Sequence, residues 1–174
     1  MFLSQSSERG SPMNWQEACE NAILQNLPFK IELNEWGQIV MSPVKVYHSR
    51  YQGKIANLLG QCLGEVVVVE FAIKLDESND KTLVADVGWI SQERSKQIDP
   101  DDASLIAPEI CVEVVSASNT QRELLDKRLF YFGKGALEFW RCDREGKIRF
   151  FDPASEIKGS KLAPDFPKKI ELGF

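Results

Sequence analysis

Apolar positions along this chain recur with two different periods, and the changes from one to the other mark out its elements. After Ser42-Pro43, the residues Val44, Tyr47, Tyr51, Ile55, Leu58, Leu59 and Cys62 fall on one stripe at helical spacing. Gly64 closes the stripe, which predicts a long helix over 44–63. A second helix is predicted over 120–132, where Thr120 and Glu123 form a capping box and Gly133 and Gly135 act as stops. A short helix is expected after Asn14, with Glu17 at its N3 position, ending before Pro28.

Elsewhere the period is two. Phe29, Ile31 and Leu33 alternate with polar residues, and Asn34-Glu35-Trp36-Gly37 turns the chain into Gln38–Met41, so a hairpin is expected. Glu65–Leu75 and Thr82–Ile90 read as an antiparallel pair joined by an Asp76–Asp80 turn. Ser91–Ala107 is polar and reads as a surface loop with a helical turn. Ile110–Ser116 is a buried strand and Ala136–Cys142 another, which Asp143–Gly146 turns into Lys147–Phe151. The segment from Asp152 is less regular.

Three carboxylates stand where this pattern calls for apolar side chains. Glu113 shares a strand face with Cys111 and Val115; Asp86 lies among Val84, Gly88 and Ile90, opposite a face of Leu83, Ala85, Val87 and Trp89; Glu70 is flanked by Val68 and Ala72. An unpaired buried charge costs several kcal/mol or shifts its own pKa, so each needs a compensating partner or a route to solvent. Asp86 and Glu113 are 27 positions apart and converge if their strands are neighbours, as metal ligands or in an ion pair. Lys127, two turns into the helix after the Glu113 strand, is the candidate cation; its alternative is an i, i+4 pair with Glu123. His48, the sole histidine, lies on the edge of the long helical stripe one turn before Gln52. It reads either as a half-buried residue with a satisfied hydrogen bond or as part of a site.

Composition narrows the classes. The chain has 174 residues, 43% hydrophobic and 27% charged, enough for one domain with its own core. A net charge of −5 argues against a protein that coats nucleic acid non-specifically, though not against a nuclease whose metal supplies positive charge locally. Cys19, Cys62, Cys111 and Cys142 form no CxxC pair, so a zinc site is not expected, and Cys62 and Cys111 read as small core residues in a reducing compartment. Residues 1–13 are polar and Ser-rich and read as a mobile tail, leaving a single domain over 14–174. No basic and apolar leader opens the chain and no apolar run approaches the ~20 residues that span a bilayer, so a cytoplasmic protein without a membrane partner is expected. There is no GxSxG elbow and no Gly-rich phosphate loop after a strand.

Taken together, Val84-Ala85-Asp86-Val87, Pro108–Ser116, Lys127-x-x-x-Tyr131 and Gly135–Trp140 resemble the Uma-type putative restriction endonuclease family of the PD-(D/E)xK nuclease superfamily. The similarity extends upstream through Glu35–Pro43 and His48 and downstream to Leu162–Pro167. The resemblance implies an α/β, restriction-endonuclease-like fold: a central mixed sheet with helix 44–63 on one face and helix 120–132 on the other. It implies Asp86 and Glu113 as ligands of Mg²⁺ or Mn²⁺ and Lys127 as the catalytic lysine, with Glu70, His48 and Gln52 as weaker site candidates. The implied activity is metal-dependent hydrolysis of DNA phosphodiester bonds by an endonuclease, which a homodimer would suit. The alternative is a catalytically inactive relative that binds nucleic acid or protein. Two positions depart from the family pattern: Ala85 replaces a proline, and Val115 stands where the wider superfamily has its lysine.

Overall fold

In the computed structural model, the described residues are 12–173 apart from 44, 65 and 118. Most of the tail expected over 1–13, and the residues Val44 and Glu65 that were to open two elements, lie outside them. The elements in order are α1 (Trp15–Glu20), α2 (Ala22–Gln25), β1 (Phe29–Leu33), β2 (Ile39–Pro43), α3 (Val46–Leu63), β3 (Val67–Asp76), β4 (Asn79–Trp89), α4 (Gln92–Ser95), β5 (Ile110–Val114), α5 (Gln121–Gly133), β6 (Glu138–Cys142), β7 (Ile148–Phe151) and β8 (Glu156–Ile157). The strands form one mixed sheet in the order β2-β1-β4-β5-β6-β7-β8, with β3 paired to β4 off that path. Among the described strands β5 and β6 run parallel, joined by the crossover that carries α5, and the other pairs are antiparallel.

Local chemistry explains most boundaries. Asn14 and Thr120 cap α1 and α5 with complete capping boxes, through Glu17 and Glu123. The single helix expected before Pro28 is two, because the Asn21 side chain accepts from the backbone of Ile23 and Leu24 and starts a new turn. Ser42 and Pro43 finish β2 rather than opening α3. The five-residue turn expected after Leu75 is tighter, since pairing continues to Asp76 opposite Asn79.

α3 and α5 cover opposite faces. Tyr51, Ile55 and Leu59 of α3 pack on Val112, Val114 and Trp140, and Phe166 and Ile170 of the irregular C-terminal segment close the same core. Phe130 and Tyr131 of α5 pack on Cys111, Phe139 and Phe151. Cys62 is exposed, against expectation, whereas Cys111 and Cys142 are buried. Helical periodicity gives the direction of a side chain but not how far the sheet beneath it extends, and Cys62 sits in the last turn.

β4 departs from strict alternation at Asp86. Leu83 and Ala85 pack in the core under α5, but Val87 and Trp89, at the same parity, pack in the core under α3. The β3–β4 register pairs Val69 with Val87 and Phe71 with Ala85, and skips the position between, where Glu70 has a φ of 52°. On its other edge β4 pairs with β1 only at Thr82 and with β5 only from Val87 to Trp89. Both ladders are thus interrupted beside Asp86.

A separate constraint holds the C-terminal segment. Gly146 has a φ of 80°, its carbonyl accepts from the Ile170 amide, and an added Cβ would lie 2.1 Å from the Ile170 carbonyl oxygen. Gly146→Ala is therefore expected to lower stability by at least about 2 kcal/mol, since left-handed backbone alone costs a residue with a Cβ roughly 1–2 kcal/mol. Gly133→Ala, in the last turn of α5 with nothing within 4 Å, should be neutral or stabilising by up to about 1 kcal/mol. Urea denaturation of the two variants measures the contrast.

Candidate active site

The interruption of the sheet creates the site. Where β1 and β5 diverge from β4, backbone amides lose their ladder partners, and a buried group without one costs about 1–3 kcal/mol. Side chains take over. The Val84 amide donates to Glu32 Oε1 at 2.9 Å, and the Val114 amide donates to Asp86 Oδ2 at 2.7 Å. On the β3 side, Gln52 of α3 donates to the Asp86 carbonyl at 3.3 Å and to Glu70 Oε1 at 2.5 Å.

The carboxylates that fill the gap bring cations with them. Lys30 Nζ lies 2.6 Å from Asp86 Oδ1, and His48 Nε2 lies 3.2 Å from Asp86 Oδ2. Lys127 Nζ bridges Glu32 Oε1 at 2.9 Å and Glu113 Oε2 at 3.1 Å, while the Tyr131 hydroxyl donates to Glu113 Oε1 at 2.5 Å. Asp86, Glu113, Lys30, His48 and Lys127 line one small cleft of about 30 Å³. That is room for one or two water-sized groups.

Lys127 points inward. Its side chain is 13% exposed, and Glu123 spends its carboxylate on the Thr120 amide, so the i, i+4 pairing does not form. His48 keeps its Asp86 contact while its buried Nδ1 has no hydrogen-bond partner. Glu70 is a correction to the alternation reading: it is exposed, because its left-handed backbone turns it out of the sheet, and it meets the site only through Gln52. Sequence reasoning missed Lys30 and Glu32. Alternation of Phe29, Ile31 and Leu33 with polar residues does not say which face is covered: Phe29 is 39% exposed and Glu32 only 7%. Opposite charges two apart on one strand face were the available signal. Tyr131, one turn beyond Lys127, was visible in the motif without a role.

Electrostatics separates the carboxylates. Burial would raise Asp86, but the Lys30 charge and the His48 contact outweigh it and hold the carboxyl well below the usual range. Burial also opposes the charge on Glu32, and Lys127 and Lys30 bring it down. Glu113 goes the other way: burial lifts it despite both lysines, with Asp86 and Glu32 adding to the rise. Lys127 stays protonated, because Glu113 and Glu32 overcome the effect of burial and raise it. Three carboxylates thus face two lysines and His48, whose pKa burial would lower but the Asp86 contact raises. Among the described residues no three His, Cys, Asp or Glu side chains converge into a ready metal cage. The donor set fits a hard divalent cation, which takes one or two carboxylates and otherwise keeps waters.

The model of the family described as "Putative restriction endonuclease" (Uma2) matches residues 17–156. The chain belongs to the Uma2 family. A crystal structure from Anabaena variabilis, titled a "putative nuclease belonging to DUF820", superposes with a TM-score of 0.63 at 17% identity, covering 82% of this chain and 87% of that one. At that identity the likeness is one of fold, and this Uma2 chain has the restriction-endonuclease-like architecture of a mixed sheet flanked by helices. No curated protein matches it significantly. Among the described residues, no helix is long and apolar enough to cross a membrane.

Asp86 should carry a measurable share of the stability. Its folded pKa lies below its unfolded one, so its contribution is full above the ordinary aspartate value of about 3.9 and is lost as pH falls toward the folded value. Asp86→Asn is expected to lower stability by about 3–5 kcal/mol at neutral pH, because it leaves Lys30 buried without its nearest partner. Urea midpoints measured from about pH 6 to about pH 2 should show the gap between wild type and variant narrowing as Asp86 is protonated.

Proposed function

We propose that this Uma2 protein is a metal-dependent nuclease that hydrolyses DNA phosphodiester bonds at the cleft between β4, β5 and α5. The observation that carries this reading is the inward position of Lys127, 3.1 Å from Glu113, in the same cleft as Asp86. Asp86 and Glu113 would hold Mg²⁺ or Mn²⁺, which when bound supplies the Lewis acidity that activates water and offsets charge on the phosphate. The chain's own groups do the rest. Lys127, held protonated, contributes a fixed positive charge where negative charge builds on the phosphoryl oxygens. Its role is therefore electrostatic and orienting rather than that of a base. Tyr131 fixes the orientation of Glu113 by donating its hydroxyl to Oε1. Asp86, held ionised by Lys30 and His48, anchors the site. Two copies of the chain would serve both strands of a duplex.

A second reading draws on the same contacts. Lys30 and Lys127 already neutralise Asp86 and Glu113, so the cluster also suits a catalytically inactive relative in which the ion pairs are structural. Cleavage assays decide between them. The purified protein, supplied with Mg²⁺ or Mn²⁺, should cut supercoiled plasmid, and chelation should stop it. Glu113→Gln and Lys127→Ala should each lower the rate by at least about 10²-fold, the scale of losing one preorganised charge or donor. Circular dichroism establishes that each variant is folded. Absence of metal-dependent cleavage of supercoiled, linear, single-stranded and RNA substrates alike would leave the inactive reading.

A further inference from the structure

Helix α5 has a cleft on each flank, and their charges are opposite. Toward β1 and β2 lies a cleft of about 240 Å³ whose lining includes Glu35, Glu123 and Asp126 beside Glu32 and Lys127. Toward β6 and β7 lies one of about 310 Å³ lined by Arg128, Arg141 and Arg149 around an apolar floor that includes Leu124, Phe139 and Phe151. Lys127 and Arg128 are successive residues, and the helical step of about 100° sends them to different flanks.

The three guanidiniums are set, not merely nearby. Arg128 and Arg149 sit 4.9 and 5.5 Å from the centroid of the Phe151 ring, and Arg141 is held by the Gln121 side chain at 3.1 Å. Arg149 also pairs with Glu156. Among the described residues neither Arg128 nor Arg141 forms an ion pair with a carboxylate, so the cleft keeps a positive surplus in a chain of net charge −5. Partial burial and the like charges of Arg149 and Arg128 depress Arg141, outweighing Asp143 and Glu156, which act the other way. Arginine forks match phosphate oxygens, and an apolar floor suits the face of a base or sugar.

Its place relative to the catalytic candidates identifies the ligand. Arg141 is the register partner of Glu113 on the adjoining parallel strand, and Arg149 is the partner of Arg141 on the next. Strands lie about 4.8 Å apart, so Glu113, Arg141 and Arg149 stand at successive positions along one line across the sheet. The geometry points to the Arg128–Arg141–Arg149 cleft as the site that grips the phosphate backbone of a nucleic-acid strand a few nucleotides from the bond presented to Glu113 and Lys127. The strand crosses the N-terminal end of α5 and avoids the acidic flank. This assignment rests on the nuclease reading for its ligand but not on catalysis.

Binding of a fluorescent oligonucleotide in EDTA therefore tests it separately from cleavage. Arg128→Gln/Arg141→Gln should weaken binding by at least about 10-fold at low salt and reduce the slope of log affinity against log salt by about 1.4, two contacts at ~0.7 each on a single strand. Arg128→Lys/Arg141→Lys, which keeps the charge, should recover most of the affinity and guards against a folding artefact. Lys54→Ala/Lys169→Ala removes the same charge from exposed positions away from α5 and should bind as wild type. Arginine-dependent binding without cleavage would sink the nuclease reading and leave this cleft standing. Equal affinity in the Gln and wild-type proteins, no oligonucleotide binding by wild type, or binding of inorganic phosphate or a mononucleotide as tight as the oligonucleotide would each overturn the proposal.

Discussion

The rest of the molecule depends on how β4 survives a break in its hydrogen bonding. An eleven-residue central strand that paired continuously on both edges would have a dry, featureless middle. Here both ladders are interrupted beside Asp86, and the freed amides of Val84 and Val114 are taken up by Glu32 and Asp86, with Gln52 on the Asp86 carbonyl. Polar groups are thereby required in the interior. Once two carboxylates are committed to backbone amides, Lys30, His48 and Lys127 must be drawn in to balance them and Glu113. The charged cleft follows from the repair of the sheet.

This origin explains why the site draws on so many elements. β1 contributes Lys30 and Glu32, α3 His48 and Gln52, β4 Asp86, β5 Glu113, and α5 Lys127 and Tyr131. The two covering helices reach the gap from opposite faces of the sheet. The change of packing side at Asp86, with Ala85 in one core and Val87 in the other, is the same event seen in the apolar residues. A separate buried carboxylate shows the contrast. Glu138 is almost wholly buried yet accepts only from neutral donors, the Trp140 indole, the Ser160 hydroxyl and the amides of Lys161 and Leu162. It ties the C-terminal segment to β6 and, among the described residues, forms no ion pair.

α5 has two assignments besides packing. Its periodicity sends Tyr131 and Lys127 toward Glu113, and Leu124 and Arg128 toward the arginine cleft, so one rigid element positions both Lys127 in the charged cleft and a basic surface. The capping box at Thr120 matters to both, since it sets where the helix begins and hence the register of all four residues.

The sequence by itself determined what local physics controls. Capping boxes at Asn14 and Thr120, the stripe of α3, the hairpin turn and the two apolar strands with lone carboxylates were legible, because caps, turns and periodicity act within a few residues. Resemblance of the Asp86, Glu113 and Lys127 motifs added the fold class. What only tertiary structure decided was the direction of particular side chains. Lys127 could have paired with Glu123, and only the approach of β1 to α5 brings Glu32 within 2.9 Å to help hold it inward. Glu70 looked like the inner face of a strand and Cys62 like core, while alternation in β1 left Lys30 without a role. Each reading failed because alternation assumes an unbroken, evenly covered sheet, and here the sheet is broken at Asp86 and covered unevenly by its helices. Periodicity is a property of one segment; burial depends on which segments meet it.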